Sequence, residues 1–142
     1  MMEALVAGGM DAVSAIPPFF EHNILPVDEG KLVKPVRTDC ARWPAGDYKV
    51  VFMRRDPQEQ HDSRVAAFPK GGSGSVEYIK TATKRRLRVL QERGDCEVIE
   101  LWYGDVLADP EAAFVKVAGF FGVELDVAAA AGVVDPAKRH YG

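Results

Sequence analysis

The feature that most constrains the fold is an apolar run that leads directly into a helix start. Residues 50–53, Val-Val-Phe-Met, are continuously apolar. Such a run is typical of a strand covered on both faces, as in the parallel sheets of α/β proteins. Asp56 can then cap a helix that has Pro57 at its first position and Glu59 completing a capping box. The sequence therefore predicts a strand over residues 49–53, followed at once by a helix.

Arg55 and Ser63 lie eight residues apart within this strand and helix unit. Arg55 is at the carboxyl end of the strand, where open α/β sheets bind ligands. At about 1.5 Å rise per residue, Ser63 lies roughly 9 Å along the helix from Pro57, so a guanidinium and a hydroxyl can share one phosphate. We interpret the pair as an anion site. The alternative is that Arg55 is a surface ion-pair partner and Ser63 an ordinary small helix residue.

The rest of the chain alternates between helices and strands, without repeats or low-complexity segments. The predicted elements are a helix over 1–7 closed by Gly8 and Gly9, strands over 11–16, 31–36 and 97–102, an irregular region over 17–30, a long helix over 76–90 ended by Gly94, and a helix opened by Asp109 and ended by Gly122. Residues 70–75 are Gly-rich but lack the Lys-Ser/Thr ending of a P-loop, so we interpret them as a linker.

Composition indicates one globular domain over residues 1–142. Hydrophobic residues make up 47% and charged residues 27% of the chain, which is ordinary for a soluble domain. No Lys or Arg precedes Lys31 and no apolar run approaches about 18 residues, so we expect a cytoplasmic protein without a membrane span. Cys40 and Cys96 are isolated, and His61 and His140 lack metal-ligand spacing, which predicts neither a disulfide framework nor a metal site.

Charge is unevenly distributed along the sequence. Residues 31–93 contain fifteen Lys and Arg against seven Asp and Glu, although the whole chain has a net charge of −3. This basic stretch includes the predicted anion site and would attract a polyanionic nucleotide. We interpret the basic cluster over 84–88 as the solvated face of an amphipathic helix. Nucleic acid is not the predicted partner, because the pI is about 5.6 and no aromatic residues interrupt the basic cluster.

The motif Arg55-Asp56-Pro57-x-Glu59 followed by Ser63 resembles the 3′-phosphate-binding motif of the sulfotransferase family, whose donor is 3′-phosphoadenosine 5′-phosphosulfate (PAPS). Residues 98–110 and 120–122 are similar to the family's later strand, its Tyr-Glu-Asp-Leu-like turn and the helix ending in Phe-Leu-Gly. Residues 1–9 resemble the helix after the family's phosphosulfate-binding loop. The resemblance thus covers almost all of the chain. It implies an α/β fold with a P-loop-NTPase-like parallel sheet flanked by helices.

The resemblance also implies roles for individual residues. Arg55 and Ser63 would bind the 3′-phosphate of PAPS, and Tyr103 would lie near the adenine, although Tyr103 can equally be an ordinary aromatic at a strand end. Arg139 would belong to a C-terminal basic segment that folds back on the 3′-phosphate. The alternative for Arg139 is a solvated charge near a chain end. Arg54 should face away from Arg55, because side chains alternate along a strand.

The catalytic residues are less directly implied. Many animal cytosolic sulfotransferases use a His after Lys-Thr, but residues 34–39 read Lys-Pro-Val-Arg-Thr-Asp and lack it. The sequence Phe-Phe-Glu over 19–21 resembles an element of small bacterial members. Glu21 is therefore the candidate base and Lys34 the candidate cation that offsets charge on the bridging oxygen. His22 is the alternative base.

One part of the family pattern would lie before Met1, namely the Arg-Ser-Gly-Thr type loop that binds the 5′-phosphosulfate. We therefore expect the chain to be truncated at its amino end relative to the family. The three alternatives are a true start that lies upstream, a fragment, and a protein that has lost catalysis. Loss of that loop would remove much of the electrostatic stabilisation of the transferring group. The predicted function is transfer of a sulfuryl group from PAPS to a hydroxyl or amine of a small-molecule or glycan acceptor. The alternatives are a non-catalytic nucleotide-binding or interaction module of the same fold, and a P-loop kinase relative that prefers ATP.

Overall fold

The computed structural model describes residues 1–12, 30, 40–69 and 74–137. This part of the chain contains both helices and strands, so the predicted mixed α/β class is confirmed. The elements are α1 (Met2–Ala7), a single 3₁₀ turn (Cys40–Arg42), β1 (Tyr48–Arg54), α2 (Pro57–Ala67), α3 (Val76–Glu92), β2 (Cys96–Trp102), α4 (Tyr103–Ala108), α5 (Pro110–Phe121) and α6 (Val127–Gly132).

The described strands form a parallel pair. Their register runs from Tyr48 opposite Cys96 to Arg54 opposite Trp102. Parallel neighbours need a crossover connection, and α2 and α3 provide it between β1 and β2. The carboxyl ends of both strands therefore lie side by side at one edge of the sheet.

Local sequence signals explain where the helices begin and end. The Asp56 carboxylate accepts hydrogen bonds from the backbone N–H of Gln58 and Glu59 at 2.9 and 3.1 Å, with Pro57 at the first position of α2. Asp109 caps α5 in the same way, accepting from the Ala112 N–H at 3.0 Å. Both predicted helix starts are thus confirmed.

The helices flank the sheet and bury two groups of side chains. The larger cluster joins α1, β2, α4, α5 and α6, and comprises Ala4, Leu5, Leu101, Val106, Ala113, Phe114, Val117 and Ala130. Val51 and Ile99 of the sheet pack against it. Ile79 and Leu90 of α3 are also buried but lie outside this cluster. The main core therefore lies on one face of the sheet, the face that carries Val51, Ile99 and Leu101.

Several predictions differ from the structure or fall outside its described part. Residues 103–108 form a helix directly after β2, where the sequence indicated only a turn, and α6 lies in the Ala-rich tail that had no assigned element. The predicted strand over 31–36 and most of the one over 11–16 lie outside the described residues. Within the described ranges, no helix has the length and apolar character to cross a membrane.

Candidate functional site

Arg55 lies at the junction between β1 and α2. It follows the last residue of the strand and precedes the helix cap Asp56. Its side chain is 12% exposed, and its Nε lies 3.7 Å from Glu59 Oε2, one turn along α2. The guanidinium thus lies beside the first turn of α2. The position of Arg55 at the carboxyl end of β1 is the predicted one. The ion pair with Glu59 fits the alternative interpretation of Arg55 as an ion-pair partner, and its anion-binding role stays a prediction.

Tyr103 lies beside Arg55 at the same edge of the sheet. Tyr103 follows Trp102, which pairs with Arg54 in the last register position. Arg55 and Tyr103 directly follow this last pair, so they lie side by side where the two strands end. The guanidinium carbon lies 5.1 Å from the centroid of the Tyr103 ring, which is within the range of a cation–π contact. The structure thus brings together two candidates that are 48 residues apart in the sequence.

Ser63 lies on α2, eight residues after Arg55, and is partly buried. Residues four apart lie on the same side of a helix. Glu59, which contacts Arg55, lies four residues before Ser63, so the hydroxyl is on the side of α2 that carries the Arg55 contact. Asp56 already accepts the N–H groups of Gln58 and Glu59. An anion at this site would therefore be bound mainly by side chains.

Arg54 contacts a different set of residues. Its Nη1 donates to Glu100 Oε2 at 2.7 Å, and its guanidinium carbon lies 4.6 Å from the Trp102 ring centroid. Glu100 and Trp102 are two residues apart on β2, so they share one face of the sheet. Arg54 lies on that face, whereas Arg55 contacts Tyr103. The predicted separation of the two arginines is confirmed.

The other candidate residues lie outside the described part of the chain. Glu21, Lys34 and Arg139 are all in ranges that the structure does not describe, as is His22, so their predicted roles stay predictions. Across residues 1–12, 30, 40–69 and 74–137, no group of three His, Cys, Asp or Glu side chains is placed to hold a metal ion.

Glu59 is a site residue that the sequence interpretation assigned only to helix capping. Its carboxylate is the neighbour of the Arg55 guanidinium, and the spacing of four residues was the signal that could have identified this pair. Farther along α2, the His61 ring hydrogen-bonds to the Asp62 carboxylate. This hydrogen bond lowers the pKa of Asp62, and a hydrogen bond from Gln58 makes a smaller contribution.

Comparisons of this chain with protein-family models, with curated proteins and with solved structures find no match.

Proposed function

We propose that this chain is a sulfotransferase-like protein that binds PAPS and whose reaction is sulfuryl transfer to a hydroxyl or amine. The observation that carries the proposal is the contact between Arg55 and Tyr103, at 5.1 Å. The two residues belong to the two separate segments that resemble the family's 3′-phosphate and adenine elements. In this proposal β1 and β2 are neighbouring strands of a P-loop-NTPase-like parallel sheet.

The site offers the groups that a ribose 3′-phosphate requires. An arginine presents N–H donors in a planar fork that matches phosphate oxygens. Arg55 is nearly buried and positioned by the junction of a strand and a capped helix, so its guanidinium loses little conformational entropy on binding. The phosphate would replace the Glu59 carboxylate beside Arg55 and accept a hydrogen bond from the Ser63 hydroxyl. The Tyr103 ring would then lie close to the nucleoside.

The transfer step is assigned to residues that the resemblance indicates. The hydroxyl oxygen of the acceptor bonds to the sulfur of PAPS, and Glu21, or His22 in its place, accepts the hydroxyl proton. The bond between sulfur and the bridging phosphate oxygen breaks, and Lys34 offsets the charge that develops on that oxygen. Adenosine 3′,5′-bisphosphate leaves, and Arg139 adds a second positive charge near its 3′-phosphate.

Calorimetric titration with adenosine 3′,5′-bisphosphate tests the nucleotide site directly, because the product needs no acceptor. The wild-type chain should bind the bisphosphate more tightly than adenosine 5′-monophosphate, which lacks the 3′-phosphate. Arg55→Gln should weaken bisphosphate binding about ten- to hundredfold, since a hydrogen bond to a charged group contributes about 1.5–3 kcal/mol. Ser63→Ala should weaken it about fivefold, as expected for about 1 kcal/mol.

Arg88→Gln is the matched control for the arginine variant. Its side chain is 77% exposed on α3, where it pairs with Glu92, and its loss changes the net charge by the same amount. Equal losses of affinity for Arg55→Gln and Arg88→Gln would contradict a specific phosphate site. Equal affinity for the bisphosphate and the monophosphate, or a preference for ATP, would contradict the sulfate-donor assignment. Transfer from PAPS to a phenol or an amine, followed by mass spectrometry, tests the reaction itself.

A further inference from the structure

Glu59 lies between the two side chains that are proposed to bind the 3′-phosphate. Arg55, Glu59 and Ser63 follow one another at steps of four residues, and Arg55 Nε lies 3.7 Å from Glu59 Oε2. Glu59 and Ser63 are neighbours on one side of α2, because helical residues four apart have Cβ atoms about 5–6 Å from each other. A phosphate that contacts both Arg55 and Ser63 would therefore lie against the Glu59 carboxylate.

The three side chains together carry no net charge before a ligand binds. The Arg55 guanidinium is positive, the Glu59 carboxylate is negative and the Ser63 hydroxyl is neutral. A phosphate dianion would meet one favourable and one unfavourable charge, and its oxygens could form no hydrogen bond with a carboxylate, because both groups only accept. A phosphate that keeps one proton carries less charge, and its P–O–H group can donate a charge-assisted hydrogen bond to Glu59.

We infer that the site binds a phosphate monoester in its monoprotonated form, with the P–O–H group donating to Glu59. This inference rests on the proposed function, because it takes the 3′-phosphate as the ligand of Arg55 and Ser63. A free monoester loses its second proton with a pKa of about 6, and a like charge that shares the site favours the protonated form. The pKa of the bound phosphate should therefore lie above 6, so that binding takes up protons. Glu59 thus determines which protonation state of the ligand the site selects.

Other charged groups around Glu59 belong to α2, α3 and α4. The Asp56 carboxylate accepts backbone N–H groups of α2, and the Tyr103 ring contacts the guanidinium. The helix α3 packs against α2 and carries Lys, Arg, Glu and Tyr side chains but no histidine. Among the described residues the histidine is His61, on α2, which hydrogen-bonds to Asp62. Because histidine titrates in the same pH range as a phosphate monoester, the test includes a variant of His61.

Calorimetric titration with adenosine 3′-monophosphate at pH 6.5 measures the protons taken up per bound ligand, when it is repeated in two buffers of different ionisation enthalpy. This probe carries a single phosphate, so no 5′-phosphate contributes. About one quarter of the free monoester is protonated at pH 6.5, so the wild-type chain should take up as much as about 0.75 proton. Its affinity should fall by up to about tenfold from pH 6 to pH 7.5, because the complex holds more protons than the free partners.

Glu59→Gln should reverse the sign of this proton linkage. Without the carboxylate, Arg55 favours the dianion, so the variant should release protons on binding and bind at least as tightly at pH 7.5 as at pH 6. His61→Gln and Glu92→Gln are the controls, and both should retain the wild-type uptake. Glu92 pairs with Arg88 on α3, and its substitution changes the net charge by the same amount as Glu59→Gln.

The possible failures of this inference and of the proposed function give different results. Equal proton uptake by the wild type and Glu59→Gln, or proton release by the wild type, would overturn the inference while nucleotide binding persists. Loss of the uptake in His61→Gln would also overturn it, because the proton would then belong to the histidine. If neither adenosine 3′-monophosphate nor adenosine 3′,5′-bisphosphate binds saturably at any pH between 6 and 7.5, the proposed function is contradicted, and this inference with it.

Discussion

At the scale of single residues, Arg93 makes five side-chain hydrogen bonds that connect distant parts of the chain. Its Nε and Nη2 donate to the two Asp95 oxygens at 2.7 and 2.6 Å. The same guanidinium donates to the backbone carbonyls of Cys40, Trp43 and Pro44 at 2.7, 3.1 and 2.9 Å. Arg93 thereby ties the segment before β1 to the end of α3. Its hydrogen bonds to Asp95 raise the pKa of Arg93 and hold that of Asp95 well below its usual range.

Because of Asp95, the free energy of unfolding should therefore decrease as the pH falls in the acid range. Because its pKa is lower in the folded state, its contribution is fully present above the unfolded pKa, about 3.9, and is lost as the pH falls through the folded pKa. Urea unfolding from pH 7 to pH 3 should show the wild type losing its advantage over Asp95→Asn below about pH 4. Glu124→Gln, an exposed residue between α5 and α6, is the control. A difference between wild type and Asp95→Asn that stays constant down to pH 3 would contradict the assignment.

A substitution of Glu59 tests the site through an expected gain of affinity for the bisphosphate. The Glu59 carboxylate lies 3.7 Å from Arg55 Nε, so it competes with an anion for the guanidinium. Glu59→Gln should raise the affinity for adenosine 3′,5′-bisphosphate by up to about fivefold, because exposed ion pairs contribute about 1 kcal/mol or less. Glu92→Gln, which removes the partner of Arg88 on α3, should leave the affinity unchanged in the same titration. Weaker binding by Glu59→Gln would mean that the carboxylate helps to position Arg55 rather than to compete.

At the scale of elements, a glycine inside α5 and the glycine at its C-cap have opposite expected effects. Gly122 ends the helix with φ 67°, whereas Gly119 lies inside it, and an added Cβ at either position meets no neighbour within 4 Å. Gly122→Ala should destabilise the protein by about 1 kcal/mol, the cost of a left-handed conformation. Gly119→Ala should stabilise it by about 0.5–1 kcal/mol through helix propensity. Thermal unfolding of both variants measures the difference, and changes of the same sign would contradict the backbone argument.

The elements that the sequence predicted are those with local signals. Asp56 and Asp109 cap their helices and Gly122 ends one, each through hydrogen bonds or a backbone angle set within a few residues. The helix α4 has only six residues, begins directly at the end of β2 and has no side-chain cap, so periodicity and capping could not identify it. The Arg93 contacts were also unpredictable, because their carbonyl acceptors lie about 50 residues away in the sequence.

At the scale of the whole molecule, the sequence predicted the class of fold and the positions of Arg55 and Tyr103 at the ends of their strands. The continuous apolar run of β1 predicted a strand in a parallel sheet, and the register with β2 confirms this pairing and brings Arg55 and Tyr103 together. The predicted cover on both faces is not observed, because every β1 residue is at least partly exposed and Met53 is 36% exposed. The Arg55 pairing with Glu59 and the contact between Arg54 and the Trp102 ring depend on side-chain positions across the sheet and along α2. A strand pattern assigns residues to faces, but it does not give these distances.

Substitutions of two valines in α5 test how far the stability of the whole molecule depends on the main core. Val117 is fully buried in the cluster that joins α1, β2, α4, α5 and α6, whereas Val115 is 60% exposed on the same helix. Val117→Ala should lower the free energy of unfolding by about 2–3 kcal/mol, from lost apolar burial and the cavity left behind. Val115→Ala should change it by less than about 0.5 kcal/mol, with a small gain from helix propensity. Urea denaturation followed by circular dichroism gives both values. Because the cluster connects five elements, both variants should unfold in one transition, and a separate early transition for Val117→Ala would show that α5 is not part of a single cooperative core.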